Sequence, residues 1–302
     1  MFGFEAPKVI PSEVFTVVPE QYRSSSTGPR SPTRQSSGGT TLEGPCFDQQ
    51  GNLYFVDIPN SRVFRATPAG EVSLIAEYKG EPNGLKVHRD GRIFIADHHH
   101  GIMLLDPATG AVSVFKAGPE KENFKGVNDL LFDSKGNLYF TDQGSTGLHD
   151  PTGRVYKLSP DGELRMIIGN IPSPNGLVMN AAETSLYVAA TRDSSIWLVP
   201  MTADGGLTKV GLFARLPASG PDGLAADVEG NIAVAHPSLS TVWLFNRRGI
   251  PTHRIELCQG SHPTNIAYGG PDNQWLYITE GDTFSVLRAR MPAPGRRLLS
   301  AD

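Results

Sequence analysis

Val127-Asn128-Asp129-Leu130-Leu131-Phe132-Asp133-Ser134-Lys135-Gly136-Asn137-Leu138-Tyr139-Phe140-Thr141-Asp142 is the stretch whose reading decides the fold. A polar residue near its start opens a short apolar run; a turn containing glycine follows, and then a second apolar run ends on a carboxylate. The same phrase stands upstream as Leu42-Glu43-Gly44-Pro45 leading to Gly51 through Asp57, and as Pro82-Asn83-Gly84-Leu85 leading to Gly91 through Asp97. Downstream it returns as Pro174-Asn175-Gly176-Leu177 with Ser185 through Ala190, and as Pro221-Asp222-Gly223-Leu224 with Gly230 through His236. A weaker last copy pairs Pro263-Thr264-Asn265-Ile266 with Trp275 through Glu280.

In this alignment Glu43, Asn83, Asn128, Asn175, Asp222 and Thr264 are equivalent, spaced 40, 45, 47, 47 and 42 residues apart. A period of that size with several short strands per unit predicts an all-β fold, a six-bladed β-propeller. A third strand is visible in five of the units, at 62–66, 101–105, 154–158, 195–199 and 242–246. The propeller is expected over 41–302 as one domain. Two stretches fall outside the repeat: an N-terminal segment, 1–22, and a Ser/Gly/Pro-rich stretch, 23–40, expected to be a flexible loop. Within the former, Glu13 to Val18 is apolar enough to be a strand. It is expected to complete the last blade, because an open ring leaves unpaired edges.

Composition agrees. The 33 glycines and 24 prolines among 302 residues leave little room for long helices. A formal charge of −4 argues against nucleic acid or an anionic membrane as partner. Cys46 and Cys258 lie far apart with no secretory signal, so the expectation is a reduced, cytoplasmic protein, a monomer or weak homo-oligomer. Serine-hydrolase, zincin, dinucleotide and P-loop motifs do not occur.

In a four-stranded meander, the start of each inner strand and the end of each second strand lie on one face of the disc. Glu43 to Asp57, Asn83 to Asp97, Asn128 to Asp142 and Asp222 to His236 are each offset by fourteen residues. The inner set bears only oxygen or amide groups, which suits a hard cation. Glu43, Asn128, Asn175 and Asp222 resemble a calcium shell completed by water. The competing reading is turn chemistry, since Asn-Gly and Asp-Gly are common turn dipeptides; it is favoured for Asn83 and Thr264.

Asp142 ends its strand ahead of the long loop Gln143 to Thr152 and is a candidate proton carrier. His98-His99-His100 invites a zinc reading, but consecutive residues alternate in direction and at most two could share an ion. A pocket-lining or proton-shuttle role fits one of them better, with His99 taken as the substrate-facing member; His236 on the same rim is a second candidate. Trp197, Trp243, Trp275 and Cys46 read as core.

At blade spacing, Leu42-Glu43-Gly44-Pro45, Val127-Asn128-Asp129-Leu130, Ser173-Pro174-Asn175-Gly176-Leu177 and Gly220-Pro221-Asp222-Gly223-Leu224 make the sequence resemble the senescence marker protein, gluconolactonase and luciferin-regenerating enzyme family over residues 41–290. The resemblance implies that Glu43, Asn175 and Asp222 hold a divalent metal, Ca²⁺ foremost with Mg²⁺, Mn²⁺ or Zn²⁺ as options. It implies that Asn128 contacts metal or substrate, and that Asp222 is the acid/base, although a cation-bound carboxylate is a weak base. The implied activity is metal-dependent lactone hydrolysis. A metal-dependent isomerase or cyclase and a non-catalytic calcium-binding propeller are the alternatives. Where sugar-lactonase members tend to have an arginine, two residues before the third-blade asparagine, this chain has Gly126; it looks closer to drug-responsive and fungal lactonase-like members.

Overall fold

The apolar runs that carry the repeat become strands with partners on both sides: Leu53–Asp57, Ile93–Asp97, Leu138–Asp142, Ser185–Ala190, Ile232–His236 and Trp275–Glu280. In the computed structural model, which describes residues 5–23, 39–202 and 205–296, they are the second strands of six antiparallel meanders arranged as a six-bladed propeller. Blade one is Leu42–Phe47, Leu53–Asp57, Arg62–Ala66 and Val72–Glu77; blade three is Val127–Phe132, Leu138–Asp142, Gly153–Leu158 and Leu164–Ile171. Most of the loop expected at 23–40 lies outside the described residues.

The core lies between blades. Successive strand residues face opposite sides of a sheet. Ile93 and Ile95 of blade two therefore pack with Tyr54 and Val56 of blade one, while Phe94 and Ala96 pack with Leu130 and Phe140 of blade three. Among the described residues, buried apolar side chains fall into six clusters, one at each junction between neighbours. A sheet buried on both faces needs continuous apolar strands, which is why Ile93-Phe94-Ile95-Ala96 shows no polar alternation. Each large side chain so buried contributes about 1.5–3 kcal/mol.

Glu13–Val17 lies antiparallel to Ser285–Arg290 as the outer strand of blade six. Val18 is buried in the cluster joining blades six and one, and the Phe15 ring meets Tyr277 edge-on at 4.9 Å. The preceding strand, Lys8–Pro11, runs parallel to Pro251–Glu256 and makes blade five five-stranded, a pairing the repeat does not reveal. Residues 294–296 cross the face away from the inner-strand starts. There Val228 N donates to Pro294 O (3.0 Å), Arg296 N to Ala226 O (2.8 Å), and the Arg296 guanidinium to Met179 O (3.2 Å) and Glu183.

Cys46 packs in the cluster between blades one and two, and burial pushes its thiol up to about 12, so it is an inert core residue. The three tryptophans are partly buried and pack against the core clusters, as read from the sequence. Trp275 also carries the Arg288 guanidinium 4.5 Å from its ring. Among the described residues no helix is long and apolar enough to cross a membrane.

Candidate functional site

Five inner strands carry one residue more than the strand they pair with, and the extra residue falls at the position aligned by the repeat or within two residues after it. Pairing steps from Glu43 to Cys46, Pro82 to Leu85, Val127 to Leu130, Pro174 to Leu177 and Pro263 to Ile266, in each case against two residues on the second strand. Such bulges bend a strand and re-aim the side chain beside them. In blade five the ladder starts only at Leu224. Asp222 N donates to Ala235 O (2.9 Å), and Gly223 N to Thr264 O of blade six (2.9 Å). Asp222 is correspondingly more exposed than its equivalents.

Asn83-Gly84 and Asn175-Gly176 lie inside strands Pro82–Val87 and Pro174–Met179, not in turns, which removes the turn reading for both. Their glycines allow inner strands to approach closely. A Cβ on Gly84 would stand 2.6 Å from Asp129 Oδ1, and one on Gly223 would stand 2.1 Å from Asn265 Oδ1.

Glu43, Asn83, Asn128 and Asn175 are all buried at this end of the ring. Glu43 Oε2 accepts from Gly44 N (2.8 Å) and Asn265 Nδ2 (2.9 Å). Asn128 Nδ2 donates to Gln143 Oε1 (3.0 Å), and Gln143 Nε2 donates to Ser173 Oγ (3.0 Å), which fixes which way round the Asn128 carboxamide sits. Its Oδ1, the Oδ1 of Asn175 and both amide atoms of Asn83 are buried without a hydrogen-bond partner. Buried acceptors normally have donors, and here the lapse repeats at three equivalent positions. Asn83 shares this feature with Asn128 and Asn175. Thr264 does not: its hydroxyl donates to Leu42 O (2.6 Å) and ties blade six to blade one.

Asp129 and Asn265 were missed by sequence reasoning. At the position after the aligned one, the six blades read Gly44, Gly84, Asp129, Gly176, Gly223 and Asn265; two polar side chains among four glycines was the available signal. Asn265 Nδ2 lies 3.5 Å from Asp129 Oδ2 as well as bonding Glu43, and Lys86 Nζ stands 3.7 Å from Asp129 Oδ1. Counting Glu43 and Asp129 against Lys86, this inner network keeps an acidic balance that favours a cation. Among the described residues no three His, Cys, Asp or Glu side chains form a metal-holding group. The expected set has two carboxylates and two carboxamides, a composition suited to calcium rather than to zinc.

The second-strand ends serve the scaffold. Asp57 accepts from Thr40 Oγ1 (3.0 Å) and Asn60 Nδ2 (2.7 Å), Asp97 from Tyr78 Oη and Glu81 N (both 2.8 Å), and Glu280 from Ser261 N (3.0 Å) and His262 N (2.8 Å). Asp142 occupies the same slot, fully buried, and accepts from Gly126 N (2.8 Å); burial raises its pKa.

The two expected substrate contacts lie as follows. His236 is fully buried, with Trp243 Nε1 donating to its Nδ1 (3.1 Å) and its Nε2 without a hydrogen-bond partner, and burial lowers its pKa. The His99 side chain is 60% exposed and pairs outward with Glu81 Oε2 (3.1 Å), while His100 Nδ1 contacts Asp97 Oδ1 (2.9 Å). The turn after Asp97 sets the half-buried His98 ring against Gly126 of blade three, with the His99 ring edge-on to it at 5.6 Å. A groove lined by Tyr54, His88, Asp90 and Ile93 belongs to the opposite face and shares no residue with the set.

Fold and mouth together define a six-bladed propeller with an oxygen-rich end to its channel. The chain belongs to the SMP-30/Gluconolactonase/LRE-like family, whose characteristic region matches residues 41–282. It is 30% identical over 273 residues to lactonase drp35 of Staphylococcus aureus (strain USA300), covering 82% of this chain and 80% of that one. It is 32% identical over 281 residues to a gluconolactonase of Zymomonas mobilis, covering 82% and 78%. Among solved structures, a gluconolactonase from Xanthomonas campestris superposes with TM-score 0.75 at 25% identity, covering 84% and 86%. A calcium-binding protein, regucalcin, from Agrobacterium tumefaciens superposes with TM-score 0.77 at 21% identity, covering 97% and 100%, a likeness of fold.

Proposed function

We propose that this protein opens a lactone ring by adding water, with one divalent cation, calcium foremost, held by Glu43, Asn128, Asn175 and Asp222. The observation that carries the reading is the set of buried carboxamide oxygens on Asn83, Asn128 and Asn175 that accept no hydrogen bond. Relatives named as lactonases at about the same identity over four-fifths of the chain support the reaction class. When bound, such a cation polarises the ester carbonyl and stabilises the developing oxyanion.

The chain's own residues supply the rest. Gln143 holds Asn128 in one orientation, so its oxygen is ready without rearrangement. Asn265 holds Glu43 through Oε2. Asp222, the more exposed carboxylate of the set, takes a proton from the attacking water and returns it to the departing ring oxygen, leaving a hydroxy acid. A panel of lactones followed by mass spectrometry tests this. A product heavier by one water supports it; an isobaric product would make the protein an isomerase, and no product with any lactone would leave a binding propeller.

Asp142 is assigned to the scaffold, and Asp142→Asn separates the two roles. A proton carrier replaced by an amide loses about 10²–10⁴-fold in rate; here kcat is expected to stay within about threefold, the allowance for small shifts of neighbouring groups. The folded-state pKa of Asp142 is raised, so ionisation disfavours the fold. That penalty is absent below the unfolded value of about 3.9 and grows as pH rises through the folded value. Asn removes it, and denaturant titrations of the variant are expected to show a flatter stability profile on the acid side of neutrality.

A further inference from the structure

We infer that His98, seated on Gly126, is the wall of the substrate pocket that decides which lactones are accepted; the inference rests on the mouth proposed above. A Cβ on Gly126 would lie 2.3 Å from His98 Cε1, 2.5 Å from Nδ1 and 2.8 Å from Nε2, so the imidazole fills the space a side chain at 126 would need. Gly126 is joined directly to the reacting end of blade three. Its carbonyl accepts from Gln143 N (2.9 Å), Gln143 accepts from Asn128 Nδ2 (3.0 Å), and Asn128 is two residues along the same strand. His98 N donates to Glu81 O (2.9 Å), which anchors the backbone of blade two at this point. His99 pairs with Glu81 Oε2 (3.1 Å) and His100 with Asp97 Oδ1 (2.9 Å), while the His98 ring lies against Gly126 of blade three and edge-on to the His99 ring at 5.6 Å.

A half-buried imidazole there offers a flat apolar face and a polar edge to the part of the lactone remote from its carbonyl. Residues 98 and 126 share one volume: a larger side chain at 126 displaces the ring, and a smaller one at 98 opens the pocket. Selectivity among ring sizes and ring substituents is therefore set jointly by these two positions, without change to the oxygen donors.

The test uses the intact chain in calcium and four proteins: wild type, His98→Ala, His98→Gln and Gly126→Ala. Affinities for a series of lactams of increasing ring size and alkyl substitution, which resist hydrolysis, are measured by calorimetry alongside kcat/KM for the matching lactones. The lactam best bound by wild type is expected to lose about tenfold in affinity with His98→Ala, the discrimination typical of a reshaped pocket. The order of preference is expected to change in both His98→Ala and Gly126→Ala, and His98→Gln to keep more of the wild-type order. Calcium affinity is expected to be the same in all four. No measurable lactam binding, or one order of lactam affinities shared by all four proteins, overturns the inference. Reordered lactam affinities in a protein that opens no lactone would overturn the proposed reaction and leave the role of His98 standing.

Discussion

Replacing Asp222 by alanine is expected to abolish calcium binding and to lower kcat/KM for lactone opening at least about 10³-fold, roughly 4 kcal/mol of barrier. Two functions are removed at once: a charged donor on the cation and the proposed proton carrier. The fold should survive, because Asp222 precedes the first ladder pair of its blade and its backbone contacts, Asp222 N to Ala235 O (2.9 Å) among them, do not need the side chain. Calorimetric calcium titration and steady-state kinetics check this, with circular dichroism confirming unchanged strand content. Wild-type binding and turnover in the variant would contradict the assignment.

Removal of residues 1–20 is the change expected to cost most stability. It strips the outer strand from Ser285–Arg290 and the parallel partner from Pro251–Glu256, and takes Val18 and Phe15 out of the junction between blades six and one. Loss of these two large apolar side chains alone amounts to about 3–5 kcal/mol. For a chain of this size the melting temperature should fall by about 10 °C. Both exposed edges would also invite association, since a row of unpaired amides templates further pairing. An unchanged melting temperature would show that the ring closes without this segment.

The parts of this molecule legible in its sequence are those dictated by burial. Six second strands packed on both faces must be continuous apolar runs, and their recurrence beside an oxygen-bearing residue set blade number and strand order. The bulges were not legible. They add one residue to a strand that still reads as apolar, and only the pairing of Val127 with Asp142 and of Leu130 with Phe140 exposes them. Lys8–Pro11 was also hidden, being four residues long with a proline, and parallel to a strand some 245 residues on.

At the site, residue types were readable and directions were not. Glu43, Asn83, Asn128 and Asn175 stand buried at equivalent inner positions, and the three asparagines each have a carboxamide oxygen without a hydrogen-bond donor. His99 and His236 illustrate the limit. The repeat places both on the rim, yet it does not say that His99 pairs with Glu81 while His98 meets Gly126, or that Trp243 bonds a fully buried His236. Asp129 and Asn265 escaped because their four counterparts are glycines, two of which, Gly84 and Gly223, leave the room that Asp129 and Asn265 fill.

The central claim is that oxygen donors from separate blades hold a cation on which ring opening depends. Its most direct test is to strip the intact protein with a chelator, remove the chelator, and follow opening of the best lactone while calcium is returned in known increments. The account predicts that activity vanishes on stripping and returns in full as one calcium per chain is bound. Ring opening at an unchanged rate by the stripped, metal-free protein would contradict it.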